Sequence, residues 1–279
     1  MGVNFFLTLR CAKQKDAKQL IERGKIQFGM PQSWVEYEET HGKGRGDIFE
    51  GTFAICHYED LEQIKLFAEK YNIPDGDINT FRKGARLYYK RKSTMNLPCF
   101  CLYILKDTAF NIEPKEGWQN IQTTIPADYF MDFADHKSKS EVDLMDEAEK
   151  PAVVVIKNFD AFKERIVNSL LSLGIKQDEI LVEPITYYDY EQYGPDGWLD
   201  FGQKPPLELV VKSKAFENQS ELRFIVNSSN GEAMDYLRKK PIEVGAIDDI
   251  AEWHSGYFSE GLEVSMRVCL EKNDNKQPN

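Results

Sequence analysis

Short runs of β-branched and aromatic residues recur along the chain, and the segments between them differ in kind. "VNFFLTLR" at Val3–Arg10 reads as a strand. "KQKDAKQLIERGK" follows with Ala17, Leu20 and Ile21 at helical spacing and Gly24 as a C-cap. "IQFGMP" then alternates like a strand and stops at Pro31, and "TFAICHY" at Thr52–Tyr58 reads as another. "EDLEQIKLFAEKYNI" places Leu61, Ile64, Leu66, Phe67 and Tyr71 as on an amphipathic helix. "LPCFCLYIL" and "PAVVVIKN" read as buried strands, "FDAFKERIVNSLLSLGI" as a helix ending at Gly174, and "EILVEPITYYDYE", "SELRFIVNS" and "LEVSMRVCL" as further strands. "FADHKSKSEVDLMDEAEK" reads as an exposed loop with room for a short helix, and "YGPDGWLDFGQKPP" as a turn-rich insertion. Strands and helices do not alternate strictly, which excludes a parallel βαβ array. The expectation is an α+β fold: a mixed, mainly antiparallel sheet with flanking helices, forming a single domain over residues 1–272 with a flexible tail at 273–279.

Charge narrows the classes of partner. The formal net charge is −11, so a broad cationic surface for nucleic acid is not expected. A local basic stretch remains in "FRKGARLYYKRK", Phe81–Lys92, interleaved with Tyr88 and Tyr89. It reads either as a solvated hairpin or helix face or as a phosphate or nucleic-acid contact. No apolar run reaches the roughly 18–20 residues of a membrane span, and Met1–Arg10 lacks the features of a signal peptide. Cys11, Cys56, Cys99, Cys101 and Cys269 form no CxxC pair, and the four His are scattered, so no zinc site is expected. Reduced thiols in a cytoplasm are the expected setting.

"HGKGRGDIFEGT", His41–Thr52, concentrates charge among glycines at 42, 44, 46 and 51. Such a backbone can approach a ligand closely and cradle an anion. Arg45 could clamp a phosphate, with Asp47 and Glu50 accepting from ribose hydroxyls. The alternative is a hydrated turn closed by Arg45 and Asp47. No phosphate loop ending in GK[ST] and no helix-opening GxGxxG is present.

"NQSELRF", Asn218–Phe224, enters a strand. Alternation turns Leu222, Phe224 and Val226 to the core and Glu221 and Arg223 to the other face. That pair is either solvent-exposed or part of a polar cleft, with Gln219 beside Glu221 at its entrance. Arg10, ending the first strand, either snorkels to solvent or reaches the same cleft. Cys99 and Cys101 read as buried structural thiols.

"LIERGKIQFGMPQSWVE", "RGDIFEG", "CFCLY", "FGQKPPLELVVKSKAFENQSELRFIV" and "PIEVGAIDDIAE" resemble, in order, an uncharacterised bacterial family grouped with phage-defence and abortive-infection genes. A second resemblance is to the arginine–serine–glutamate class of ADP-ribosyltransferases. It implies a related fold, NAD as cofactor, Arg10 holding NAD phosphate or ribose, Glu221 stabilising an oxocarbenium-like state, and Gln219 orienting the acceptor. Where that class has Ser-Thr-Ser this chain has "CFC", with Ser93 and Thr94 of "KST" nearby.

These readings imply a nucleotide- or NAD-handling protein in phage–host conflict, working by ADP-ribosyl transfer or N-glycosidic cleavage. The alternative is a non-catalytic module, a sensor, immunity factor or inhibitor, that grips a nucleotide or protein partner through Arg10, Arg45, Asp47 and Glu221. A third reading gives Asp47 and Glu50 to magnesium in a nuclease.

Overall fold

A six-stranded sheet organises the chain, and every neighbouring pair of its strands runs antiparallel. The computed structural model describes residues 5–41, 47–57, 76–113, 115–190 and 206–270, with 62, 65, 66, 69 and 72–74. In chain order the strands are β1 (Phe5–Lys13), β2 (Lys25–Ile26), β3 (Thr52–His57), β4 (Ile78–Lys83), β5 (Arg86–Arg91), β6 (Cys99–Lys106), β7 (Gly117–Ile125), β8 (Pro151–Ile156), β9 (Ile180–Pro184), β10 (Thr186–Tyr188), β11 (Val211–Ser213), β12 (Glu221–Val226), β13 (Ile242–Glu243), β14 (Ala251–Ser255) and β15 (Leu262–Leu270). The main sheet has the order β14-β8-β1-β6-β12-β9. The fold is α+β, with smaller sheets β3-β5-β4, β7-β15, β2-β13 and a parallel pair β10-β11 around it.

Period-two alternation divides the main sheet into two faces. Leu102, Ile104, Val154, Ile156, Leu222 and Phe224 point to one face. There they meet Ala17 and Leu20 of helix Gln14–Arg23, Phe162, Ile166 and Leu170 of helix Phe159–Ser172, and Met234 and Leu237 of helix Gly231–Lys239. Leu9, Tyr103, Leu105 and Val153 point to the other face. Tyr129 and Phe130 of helix Ala127–Phe133 and the ribbon β7-β15 cover them.

The first helix shows how local chemistry sets these elements. Its apolar stripe faces the sheet, and it stops at Gly24, which sits at φ 60°. A Cβ at that position would lie 2.1 Å from the Gly245 carbonyl oxygen, so no larger residue fits without displacing backbone. The polar stretch after Phe133 contains helix Lys139–Asp143, opened by a reciprocal cap between Ser138 and Glu141.

Several local expectations differ from the structure. "IQFGMP" forms only a two-residue strand, and Gly29 pairs with Cys99 as an isolated bridge. The acidic stretch after it is helix Pro31–His41, where Pro31 takes the first helical position. "EILVEPITYYDYE" splits into β9, which pairs with β12, and β10, which pairs with β11. "FRKGARLYYKRK" is the hairpin β4-β5, turned at Gly84 with φ 62°. Arg82, Lys83 and Lys92 are exposed, as on a solvated hairpin face, whereas Lys90 and Arg91 are buried. The amphipathic helix expected from Glu59 onwards, most of the turn-rich insertion and the tail lie largely or wholly outside the described residues.

Candidate functional site

Glu221 and Arg223 begin β12, where alternation turns them away from the helix-covered face. Register places Glu221 opposite Tyr103 and Arg223 opposite Cys101. The hydrocarbon cover from the ribbon and helix Ala127–Phe133 does not account for this part of the sheet. Side chains from the turn Asp47–Gly51 and from β11 meet the two charges instead. Arg223 is completely buried and donates through Nη1 to Glu50 and to the Leu209 carbonyl. Its Nη2 donates to Glu221 Oε2 at 2.9 Å, and Trp34 lies 4.9 Å from the guanidinium carbon. Lys212 Nζ donates to Glu221 Oε1 at 2.9 Å and also to Gln219 Oε1. Both carboxylate oxygens of Glu221 therefore face a cation of the protein's own.

Electrostatics separate the two glutamates. Burial raises Glu50, with the Arg223 charge acting against it. Burial also acts upward on Glu221, but Lys212 and Arg223 overcome it and hold the carboxyl down at about 2. Lys90, buried with its ammonium donating to the Ile48 carbonyl, is pushed down to about 8 by desolvation. Burial pushes the Cys101 thiol up to about 11 and Cys99 well above the ordinary range, which keeps both protonated.

The structure brings Asp47, Glu50, Gln219, Glu221 and Arg223 into one buried cluster, and it assigns them partners within the chain. Asp47 Oδ1 accepts from Phe49 N at 2.8 Å, and its Oδ2 accepts from Ser213 N at 3.0 Å. Asp47 and Glu50 thus tie their turn to β11 and β12 rather than lining an open loop. Their oxygens are spent on donors of the protein, which is not the arrangement of a magnesium site. Arg45 lies outside the described residues.

Arg10 is a correction. Leu9 pairs with Tyr103, and Tyr103 pairs with Glu221, so those three share a face and Arg10 turns to the opposite one. There its guanidinium lies 4.8 Å from the Phe100 ring centroid and donates to the Cys101 carbonyl at 2.6 Å. It neither snorkels freely nor joins the Glu221 cluster. Ser93 and Thr94 also have other tasks. Ser93 Oγ donates to Asp77 at 2.7 Å, and Thr94 Oγ1 donates to Glu208 at 2.8 Å. Glu208 in turn accepts from Arg91 at 2.7 Å, forming a second buried ion pair.

The open feature beside the cluster is a cleft of about 770 Å³. Carboxylates of Glu38, Asp47, Asp128, Asp132, Asp189 and Glu217 line it, against Lys83, Lys214 and His136. Glu221 is not on its wall. Asp132 Oδ1 lies 3.0 Å from His136 Nε2, and burial raises the Asp132 carboxyl, with His136 acting against that rise. Phe49, Tyr190 and Phe216 supply aromatic wall. Tyr190 stacks on Phe49 at 5.1 Å and 20°, and its buried hydroxyl has no hydrogen-bond partner among the described residues. Lys83 Nζ stands 4.6 Å from the Phe49 ring centroid, so this wall already carries one cation.

Sequence reading missed Lys212, Glu208 and the carboxylates of the cleft other than Asp47. A faint signal existed for Lys212: a lone lysine inside the apolar run "LELVVKS" is either exposed or paired, and here it is 3% exposed and paired. Asp128, Asp132 and Glu217 belong to segments that meet only in three dimensions. Among the described residues, no group of three or more His, Cys, Asp or Glu is placed to hold a metal ion. Nor is any helix among them long and apolar enough to cross a membrane. No family model, curated protein or solved structure matches the chain.

Proposed function

We propose that the protein is a non-catalytic binding module whose acidic cleft takes a basic segment of a partner protein. One observation carries this reading. Asp47, Glu50 and Glu221 are committed to Lys212, Arg223 and backbone donors, while Asp128 and Glu217 stand exposed on the wall of the neighbouring 770 Å³ cleft, beside aromatic residues. A lysine or arginine side chain entering it meets negative charge and can lie over a ring, as Lys83 lies over Phe49. The formal net charge of −11 favours encounter with a cationic partner. The resemblance to phage-defence proteins supplies the setting we propose, a sensor, immunity factor or inhibitor in phage–host conflict.

The test separates the cleft from bulk charge. Asp128 and Glu217 are exposed on the cleft wall, so Asp128→Asn with Glu217→Gln removes two charges with little effect on folding. Glu113→Gln with Glu263→Gln removes two exposed charges elsewhere. A fluorescent octa-arginine peptide should bind the cleft variant about tenfold more weakly than wild type, as expected for loss of favourable charge contacts of roughly 1.4 kcal/mol. It should bind the control variant within about twofold. Equal weakening in both variants would reduce the interaction to bulk charge and defeat the proposal.

A further inference from the structure

A second cleft, of about 500 Å³, has the opposite electrostatic character. It lies among β1, helix Gln14–Arg23, β2 and the end of helix Ala127–Phe133, where β1 has run past its pairing with β6. Arg10, Lys13 and Lys25 line it, against a single carboxylate, Asp16. In a chain of net charge −11, a concavity with this excess of cations is informative. Lys13 pairs with Glu149 at 2.6 Å. Lys25 Nζ donates to the neutral amide of Gln19 at 2.6 Å, which leaves its charge uncompensated by that contact.

Arg10 is the built part of the site. It is half-buried, its guanidinium lies over Phe100, and its Nη1 is fixed by the Cys101 carbonyl. These two contacts hold the plane while Nε and Nη2 keep donors with no protein partner among the described residues. A held guanidinium with spare donors matches the geometry of a phosphate. Partial burial strengthens that attraction relative to water. The cleft exceeds what a bare phosphate needs. Phe133 offers apolar surface, and Gln19 and Gln27 offer amides that can meet polar edges of a ring or sugar.

We propose that this cleft binds a phosphate-bearing small molecule of mononucleotide size, with Arg10 and Lys25 on the phosphate and the organic part against Phe133. The site is separate from the acidic cleft and does not depend on what that cleft binds.

The experiment titrates the full chain with adenosine 5′-monophosphate, adenosine and inorganic phosphate by calorimetry. The monophosphate should bind saturably, more tightly than phosphate, and more weakly as salt is raised, while adenosine shows no saturable heat. Arg10→Gln should weaken the monophosphate about tenfold or more, as expected for losing a charge-assisted contact. Lys25→Gln, on the rim, should weaken it about threefold and serves as the deciding variant if Arg10→Gln does not fold. Absence of saturable binding by wild type at millimolar monophosphate would overturn the proposal. So would monophosphate binding unchanged in Lys25→Gln and in a folded Arg10→Gln, or adenosine binding as tightly as the monophosphate.

Discussion

Two patches on the same face of one sheet are packed in opposite ways. Over β8, β1 and β6, Leu9, Tyr103, Leu105 and Val153 meet Tyr129, Phe130 and the ribbon β7-β15, and the contacts are hydrocarbon and aromatic. On the next strand, β12, Glu221 and Arg223 meet Lys212 and Glu50 of the Asp47–Gly51 turn, and the contacts are charged. The apolar patch gains from burial alone and tolerates small errors of direction. The charged patch is favourable only when each desolvated group meets its counterpart, because an unpaired buried ion costs several kcal/mol. The charged patch therefore fixes geometry more than it adds stability. It holds the turn at Asp47 and the strand β11 in place, and both contribute wall to the acidic cleft.

The sharpest way to break the comparison is to remove one partner. Arg223→Met should cost about 3–5 kcal/mol, because Glu50 is left buried without its cation. Chemical denaturation measures this. Adding Glu50→Leu to that variant should recover most of the loss, since replacing a buried pair by apolar groups is often close to neutral. A double variant as unstable as the single one would show that the charges contribute more than their mutual compensation.

Backbone geometry gives the next effect. Gly24→Ala should cost about 1–3 kcal/mol through strain at positive φ and the clash with the Gly245 carbonyl, seen as a lower melting temperature.

Acid titration probes the charged patch directly. The Glu221 carboxyl is held at about 2, below its ordinary value of 4.5. Its contribution is therefore full above about pH 4.5 and is lost as pH falls toward 2. Glu221→Gln should be less stable than wild type at neutral pH, and the gap should narrow across that acid window. A gap constant with pH would mean that the charge of Glu221 does not act on folding.

The smallest effect concerns Lys90, held at about 8 against an ordinary 10.5. Below pH 8 it is charged in both folded and unfolded chains, and the folded state bears the full desolvation penalty. Between about 8 and 10.5 the unfolded chain binds more protons, so this residue's contribution to stability rises with pH. The melting temperature of wild type should rise relative to that of Lys90→Met across that window, and their difference should stay constant below it.

Much of this arrangement was written in local patterns, and some of it was not. The alternation in "SELRFIV" is enough to send Leu222 and Phe224 one way and Glu221 and Arg223 the other. Gly24 and Gly174 marked helix ends because positive φ favours glycine. Alternation cannot say what covers a strand's second face, so the choice between an exposed pair and a polar cluster waited on Lys212 and Glu50, which approach from elsewhere in the chain. It also cannot say which strands are neighbours. Arg10 and Glu221 looked compatible until register placed Tyr103 between Leu9 and Glu221. Lys90 and Arg91 read as surface charge because a basic run carries no sign of partners such as Glu208, which is distant in sequence.

We propose that the Glu221 cluster builds structure and does not perform chemistry, since Lys212 and Arg223 hold both oxygens of its carboxylate. The most direct measurement follows nicotinamide release from NAD by wild type and Glu221→Gln, alongside the melting temperature of each at pH 7. The expected result is no release above background from either protein and a lower melting temperature for the variant. Release by wild type that falls about 100-fold or more in a Glu221→Gln protein of unchanged melting temperature would contradict it, because that is the signature of a lost transition-state contact.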